Sequence, residues 1–354
     1  MIKRSYQVRF TTPAFLGNAQ QEGQWRTPPF KALLRQWWRV ASGITDECRL
    51  RQEEARLFGA ASDEGSGSHR SLVRIRLGSW EVPESGKLPK VGTVCHPEVD
   101  HPKLKNCPDG DGKLIDAGQY LGYGPIQKAN AAIQAGEPNT LRVAWPDAYN
   151  KISDVLQFIQ WFGTLGGRSR NGWGSLTLEH ESIQGAIPSQ RQGGNGNLLS
   201  RIARPIVDCL SLDWPHALGT DADGQLLVWC STGTFPDWRE AMRALAKVKI
   251  GFRRTLPLDG GNPLQRHLLA YPVTHHSVGA WGNQSRLANQ LRFKVAKSND
   301  GKLTAYAFHL PCGLPTPLAQ ALGQDAPSLR EQAVIWNQVH TWLDNTPVSG
   351  FRRI

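Results

Sequence analysis

Hydrophobic positions between residues 152 and 162 recur at helical spacing: Ile152, Val155, Leu156, Ile159 and Phe162 form the i, i+3, i+4, i+7, i+10 series of an amphipathic helix. Near the start of the chain the period is two. Tyr6, Val8 and Phe10 alternate with Gln7 and Arg9, which predicts a strand that ends at Thr11-Thr12-Pro13. Pro28-Pro29 then opens a helix to about Ser42, with Phe30, Leu33, Leu34, Trp37 and Ala41 on one face. A second helical stretch covers Cys48 to Phe58, and strands follow at Leu72–Leu77 and Leu141–Trp145. The helix at 152–162 leads into a glycine-rich loop, and Ser175–Glu179 alternates like a strand.

The first half therefore reads β-α-(α)-β-insertion-β-α-loop-β, which is the ferredoxin-like βαββαβ order with additions. The insertion, about residues 78–139, is rich in Pro, Gly, Lys and Asp; its one notable run is Gln119-Tyr-Leu-Gly-Tyr-Gly-Pro125. Residues 185–198 have the composition of a linker. Beyond them strands are predicted at Leu226–Cys230, His267–Val273, Leu291–Ala296 and Leu303–Leu310, with helices at Trp238–Ile250 and Ser328–Leu343. The expected architecture is α+β. It comprises two tandem ferredoxin-like (RRM-like) domains, 1–184 and 199–354, with the long insertion in the first.

The loop reads Gly163-Thr-Leu-Gly-Gly-Arg-Ser-Arg-Asn-Gly-Trp-Gly-Ser175. Its five glycines allow positive φ and close backbone approach, and Arg168 and Arg170 add charge at the same place. A nucleotide P-loop runs from strand to helix and ends in Gly-Lys-Ser/Thr. Here the order is reversed and the lysine is missing, which argues against nucleotide binding. Two readings stand: a tight reversal between helix and strand, or a phosphate contact favoured by the two arginines and Trp173.

Charge bears on that choice. The 354-residue chain carries a net charge of +11, and residues 1–45 hold seven Lys or Arg against the single acid Glu22. Such an excess favours a polyanionic partner. Lys31, Arg35 and Arg39 repeat every four residues on one face of the first predicted helix, forming a basic ridge with no acid at i±4. Phosphate would satisfy this ridge; so would an acidic residue elsewhere in the fold.

Mean hydropathy is −0.41, and no run approaches the roughly 18 apolar residues of a membrane span. The charged, strand-like start is unlike a signal peptide, so a cytoplasmic protein is expected. Six scattered cysteines without a Cys-x-x-Cys pair are read as reduced thiols. Cys95, His96, His101 and Cys107 are four possible zinc ligands whose spacing matches no common zinc pattern. No cofactor is expected.

Several of these stretches together resemble the RAMP superfamily of CRISPR-associated proteins. They are the first strand with Thr12-Pro-Ala-Phe-Leu-Gly17, then Arg26-Thr-Pro-Pro-Phe-Lys31-Ala-Leu-Leu-Arg35-Gln-Trp-Trp-Arg39, then Leu57-Phe-Gly59 before a strand, and the glycine loop. Within the superfamily the likeness is to the Cmr subunit one family of type III-B complexes. In the second half only Arg286–Arg292 followed by a strand shares it. The resemblance implies a noncatalytic subunit that binds crRNA and target RNA near the 3′ end of the guide, beside other RAMP subunits of a Cmr-type complex. It further implies RNA-backbone contacts at Gly166, Gly167, Arg168, Ser169, Arg170, Gly172 and Gly174 in the loop, and at Lys31, Arg35 and Arg39 on the helix. Arg26 and Trp25, just ahead of that helix, are further candidates for the same RNA contacts. Trp37 lies on its apolar face, and Trp38, at the edge, is placed to stack on a base.

Two other classes remain. Some RAMP proteins cut RNA with a histidine near the first helix or an aspartate in the first loop, yet this chain has no His before His69 and no Asp before Asp46. The expectation is no enzyme, with His275-His276 as the remaining acid–base pair. A purely structural subunit would instead use tryptophans such as Trp25, Trp80, Trp214 and Trp281 at protein interfaces. In the second half Arg253, Arg254, Arg286 and Arg292 are the basic candidates.

Overall fold

The computed structural model describes all residues except 21, 62–67, 82–87, 129–131, 189–197, 257, 259–263, 275, 283 and 299. Most of the glycine-rich part of the 185–198 segment thus lies outside the described residues. The chain forms two compact units. The first comprises Met1–Ile187, Thr234–Arg243 and Lys294–Ala305; the second comprises Pro188–Gly233, Ala244–Phe293 and Tyr306–Ile354.

The first unit contains β1 (Ile2–Phe10), α1 (Thr27–Ser42), α2 (Glu47–Phe58), β2 (Arg74–Leu77), β3 (Thr93–His96) and β4 (Lys113–Asp116). It continues with α3 (Ala117–Gly122), α4 (Pro125–Lys128), β5 (Pro138–Trp145), α5 (Lys151–Phe162) and β6 (Leu176–Glu179). Four strands form one sheet in the order β2-β5-β1-β6, and every neighbouring pair is antiparallel. Tyr6, Val8 and Phe10 are buried on one face, as the alternation predicts. α1 packs on α5 through Trp37, whose ring lies 6.0 Å from Phe158 and 5.4 Å from Phe162.

Local chemistry explains where the helices begin and end. Pro28 and Pro29 are the second and third residues of α1, in the first turn where the missing N–H costs nothing, and Gly43 closes it at φ 66°. Asp46 caps α2 by accepting from the Arg49 amide at 2.7 Å. Between β2 and β5 the sequence shows little periodicity, yet β3 and β4 form an antiparallel hairpin and α3 follows directly. Asp116 caps α3 through the Gln119 amide.

From residue 198 onward the elements are α6 (Leu198–Ile202), β7 (Ala203–Pro205), α7 (Ile206–Cys209), β8 (Leu218–Thr220), β9 (Val228–Ser231), α8 (Trp238–Arg254) and α9 (Leu264–His267). They are followed by β10 (Leu291–Lys297), β11 (Leu303–His309), α10 (Thr316–Leu322), α11 (Leu329–Asp344), α12 (Thr346–Ser349) and β12 (Phe351–Arg353). A second four-stranded sheet has the order β10-β11-β9-β12. Numbered along the chain, each four-stranded sheet runs second, third, first, fourth. α11 begins with a full capping box between Ser328 and Glu331.

One predicted strand is corrected. Residues 267–273 form the end of α9, turns, and isolated bridges from Tyr271 to Leu287 and from Val273 to His276. Pro272 sits inside that run and has no N–H for a ladder. Among the described residues no helix is long and apolar enough to cross a membrane.

Candidate nucleic-acid interface

The glycine loop begins where α5 stops. Gly163 donates to the Ile159 carbonyl at 2.7 Å, and a fully buried lysine, Lys294, reaches the same helix end. Its ammonium donates to the carbonyls of Gln160 (3.0 Å), Gly163 (2.9 Å) and Leu176 (2.6 Å), with Ile159 at 3.4 Å. Burial pushes the Lys294 pKa well below the usual lysine range. These carbonyls, three of them at the negative end of the α5 dipole, oppose that shift by favouring the cation. The next residue, Val295, donates its amide to Ser175 Oγ at 2.9 Å and accepts from Thr11 Oγ1 at 2.6 Å.

Most of the loop's amides are satisfied internally. Gly167 donates to Phe15 O, Gly174 to Pro13 O, Gly172 to Ser169 O, Ser169 to Gly166 O and Asn171 to Arg168 O. Two glycines are required by contact. A Cβ on Gly174 would lie 1.9 Å from the Leu165 carbonyl oxygen, and one on Gly166 would lie 2.6 Å from the Phe15 oxygen. Both also have positive φ, 63° and 92°. The loop is thus sewn to the segment after β1, and this close approach accounts for much of its glycine content.

Only part of the loop faces outward. Gly166 and Arg168 are exposed, Gly167, Ser169 and Arg170 are half-buried, and residues 171–176 are buried. The expectation of backbone contacts at Gly172 and Gly174 is corrected, because both lie beneath the exposed lip. Trp173 is corrected likewise: it is buried against Phe15 and Trp238, at ring distances of 5.0 and 5.8 Å.

Arg168, at φ 57°, is the one non-glycine residue with positive φ among the described residues. Its Nε donates to the Tyr123 carbonyl at 2.8 Å. That bond uses Nε and leaves the Nη1 and Nη2 donors for another acceptor. Tyr123, between α3 and α4, has its side chain in solvent at 62% exposure. Asn171 Nδ2 donates to Leu121 O at 2.8 Å, so a second bond holds the loop against α3.

The basic ridge of α1 has a partner that the helix alone does not reveal. Glu54 of α2, 4% exposed, accepts from Arg35 Nε at 2.7 Å and from Arg39 Nη2 at 2.8 Å, and also pairs with Arg39 Nε. Burial alone would raise the Glu54 pKa; hydrogen bonds and charge from Arg39 and Arg35 outweigh it, and the carboxyl is held below the usual range. One acid against Lys31, Arg35 and Arg39 leaves the ridge with a net positive charge. Lys31 is pushed below the ordinary lysine range by burial and by the nearby Arg35 charge.

Trp38 is corrected. It is 5% exposed and meets Phe58 edge-on at 5.9 Å, so its ring is part of the core between α1 and α2. Trp25 is buried too, stacked between Phe10 and Phe30. Arg26 is half-buried ahead of α1, and its Nε is buried without a hydrogen-bond partner among the described residues. Of the four tryptophans proposed for protein interfaces, Trp25 and Trp281 are buried, Trp214 is half-buried and Trp80 is 52% exposed.

The four zinc candidates are not brought together. Cys95 and His96 are adjacent on β3 and project to opposite faces, and His101 Nδ1 accepts from the Lys103 amide. Among the described residues no group of three or more His, Cys, Asp or Glu is placed to hold a metal. The cysteines are free thiols. Of the histidine pair, His275 lies outside the described residues, and the His276 carbonyl receives His267 Nε2 at 3.0 Å. In the second unit Arg254 and Arg286 are exposed, Arg253 is half-buried and Arg292 is buried.

No protein-family model matches the chain, and none of the curated proteins does. Among solved structures the chain is similar to the crystal structure of apo Cmr1 from Pyrococcus furiosus. Identity is 15% and the TM-score 0.45, with 89% of this chain and 90% of that one covered. It is also similar to a chain in the cryo-EM structure of type III-B Cmr-beta bound to cognate target RNA and AMPPnP in the presence of ssDNA. There the identity is 11% and the TM-score 0.48, with 95% and 98% coverage. A further Cmr-beta structure bound to cognate target RNA matches at 11% identity and a TM-score of 0.44.

Proposed function

We propose that the chain is a noncatalytic RNA-binding subunit of a type III-B CRISPR RNA-guided complex. It holds crRNA and target RNA near the 3′ end of the guide, among other RAMP subunits. The two sheets, each in second-third-first-fourth order with helices between the strands, are read as tandem ferredoxin-like domains of the RAMP kind. The first carries residues 78–139 as an insertion.

The observation that carries the reading is Arg168. A non-glycine residue held in the left-handed region on an exposed lip, with Nε tethered and both Nη groups left as donors, is a preorganised phosphate fork. Gly166 and Gly167 let a strand approach the backbone there. Arg170 adds charge, and Tyr123 offers the exposed aromatic face that Trp38 does not. Lys31, Arg35 and Arg39 extend the positive field along α1. Such a site grips backbone and leaves sequence to base pairing.

Single-stranded RNA binding across a salt series tests this, with wild type beside Arg168→Ala/Arg170→Ala. Wild type should bind with log K falling by about 0.7 per phosphate contacted for each decade of salt, and the variant should lose affinity and slope. A variant that binds like wild type would reduce the loop to a turn and point to a structural subunit.

A further inference from the structure

The first sheet has a second face, and its charge is not used by the site above. Cross-strand partners in the register project to the same side. Tyr6, Val8 and Phe10 point to the buried face, so Lys3, Ser5, Gln7 and Arg9 of β1 point to the other. Opposite them on β5 stand Ala144, Arg142, Thr140 and Pro138. Arg74 pairs with Ala144 and Arg76 with Arg142 on β2. Two rows therefore read Arg74–Ala144–Lys3 and Arg76–Arg142–Ser5 across three strands. Lys3, Arg74, Arg76 and Arg142 are all exposed.

This arrangement has a cost. Arg76 and Arg142 stand directly opposite each other, and like charges in that position destabilise a sheet. Glu179, in the register opposite Gln7, pairs with Arg9 at 3.6 Å, and Asp147, two residues beyond β5, pairs with the Met1 amino group. Among the described residues no carboxylate reaches Arg74, Arg76 or Arg142. Among the paired positions of this face none carries a large apolar or aromatic side chain, whereas a protein-binding surface needs an apolar centre.

We infer that the open face of this sheet, centred on Arg76 and Arg142, is a second binding surface for the phosphodiester backbone of a single-stranded nucleic acid. Adjacent rows lie roughly 7 Å apart along the strands and about 5 Å across them, so several phosphates of one strand can be met together. Without aromatic rings the face stacks no bases and is indifferent to sequence. It is built from residues other than those of the glycine loop and α1, so it stands even if the reading of that loop fails.

The test is a salt series with an oligouridylate and an oligothymidylate, using wild type, Arg74→Gln/Arg76→Gln/Arg142→Gln and Arg168→Ala/Arg170→Ala. The triple variant should show a slope less steep by about 2, three contacts at roughly 0.7 each. The loop variant should retain that part of the slope. Loss with both oligonucleotides assigns the face to the shared backbone, and loss with one assigns it to RNA or to DNA. If the triple variant does not fold, Arg142→Gln alone should remove about 0.7. An unchanged slope with both probes overturns the inference while leaving the loop untouched. So does a triple variant that loses only binding to polyglutamate, which would make the face an acidic-protein site.

Discussion

Glu54 shows how a single residue changes the meaning of a pattern. Lys31, Arg35 and Arg39 look unneutralised along α1, and the acid that meets two of them lies 15 to 19 residues further on, in another helix. Helical spacing cannot reveal it, because the contact depends on how α2 folds back. Trp37 and Trp38 divide the same way. Periodicity places Trp37 in the core, whereas Trp38 is buried only because Phe58 covers it. The Glu54 carboxyl has a folded pKa below its unfolded value, so its contribution is present above the unfolded pKa, about 4.3, and is lost as pH falls through the folded one. Chemical denaturation of wild type and Glu54→Gln between about pH 6 and pH 3 should show wild-type stability dropping as the pH is lowered. The variant, less stable at pH 6, should show a flatter profile; parallel profiles would mean the pair carries no linkage.

The element that organises the first unit is the helix–loop–strand run from α5 to β6. Its existence and order are legible in the sequence: apolar periodicity ends at Phe162, glycines follow, and alternation resumes at Leu176. The use of the glycines was not legible. Gly172 and Gly174 read as ligand contacts, but they are where the loop presses against its own backbone and against the segment after β1, and such closeness is a tertiary fact. Lys294 was equally hidden, since a lysine inside a strand gives no hint that it caps a helix more than 130 positions away. Gly174→Ala places a methyl group against Leu165 O at positive φ. It should cost about 3 kcal/mol, read as a lowered denaturation midpoint, while Arg168→Ala, which loses only the Nε bond to Tyr123 O on the exposed lip, should cost about 1 kcal/mol. Equal losses at the two positions would contradict the division between buried base and exposed lip.

At the scale of the whole molecule, composition and element order carried the α+β class, and long periodic segments such as α1, α5 and α11 fall close to where the pattern puts them. The least legible parts were the shortest. β12 has three residues, two of them arginines, and β3 and β4 sit in a stretch dominated by Pro, Gly and charge. Tyr123 belongs to that stretch, and its relation to Arg168 exists only once the chain between β4 and β5 has folded against the loop. Net charge of +11 is a global signal for a polyanion; it names neither the loop nor the sheet face. In the proposed role RNA lies across the lip of the glycine loop beside Tyr123. Ultraviolet cross-linking of the full chain to single-stranded RNA, with peptide mapping of the attachment sites, tests it most directly. Cross-links should fall on Tyr123 and within Gly166–Arg170, and should disappear from both in Arg168→Ala/Arg170→Ala. Cross-links confined to the second unit, or unchanged in the variant, would contradict the account.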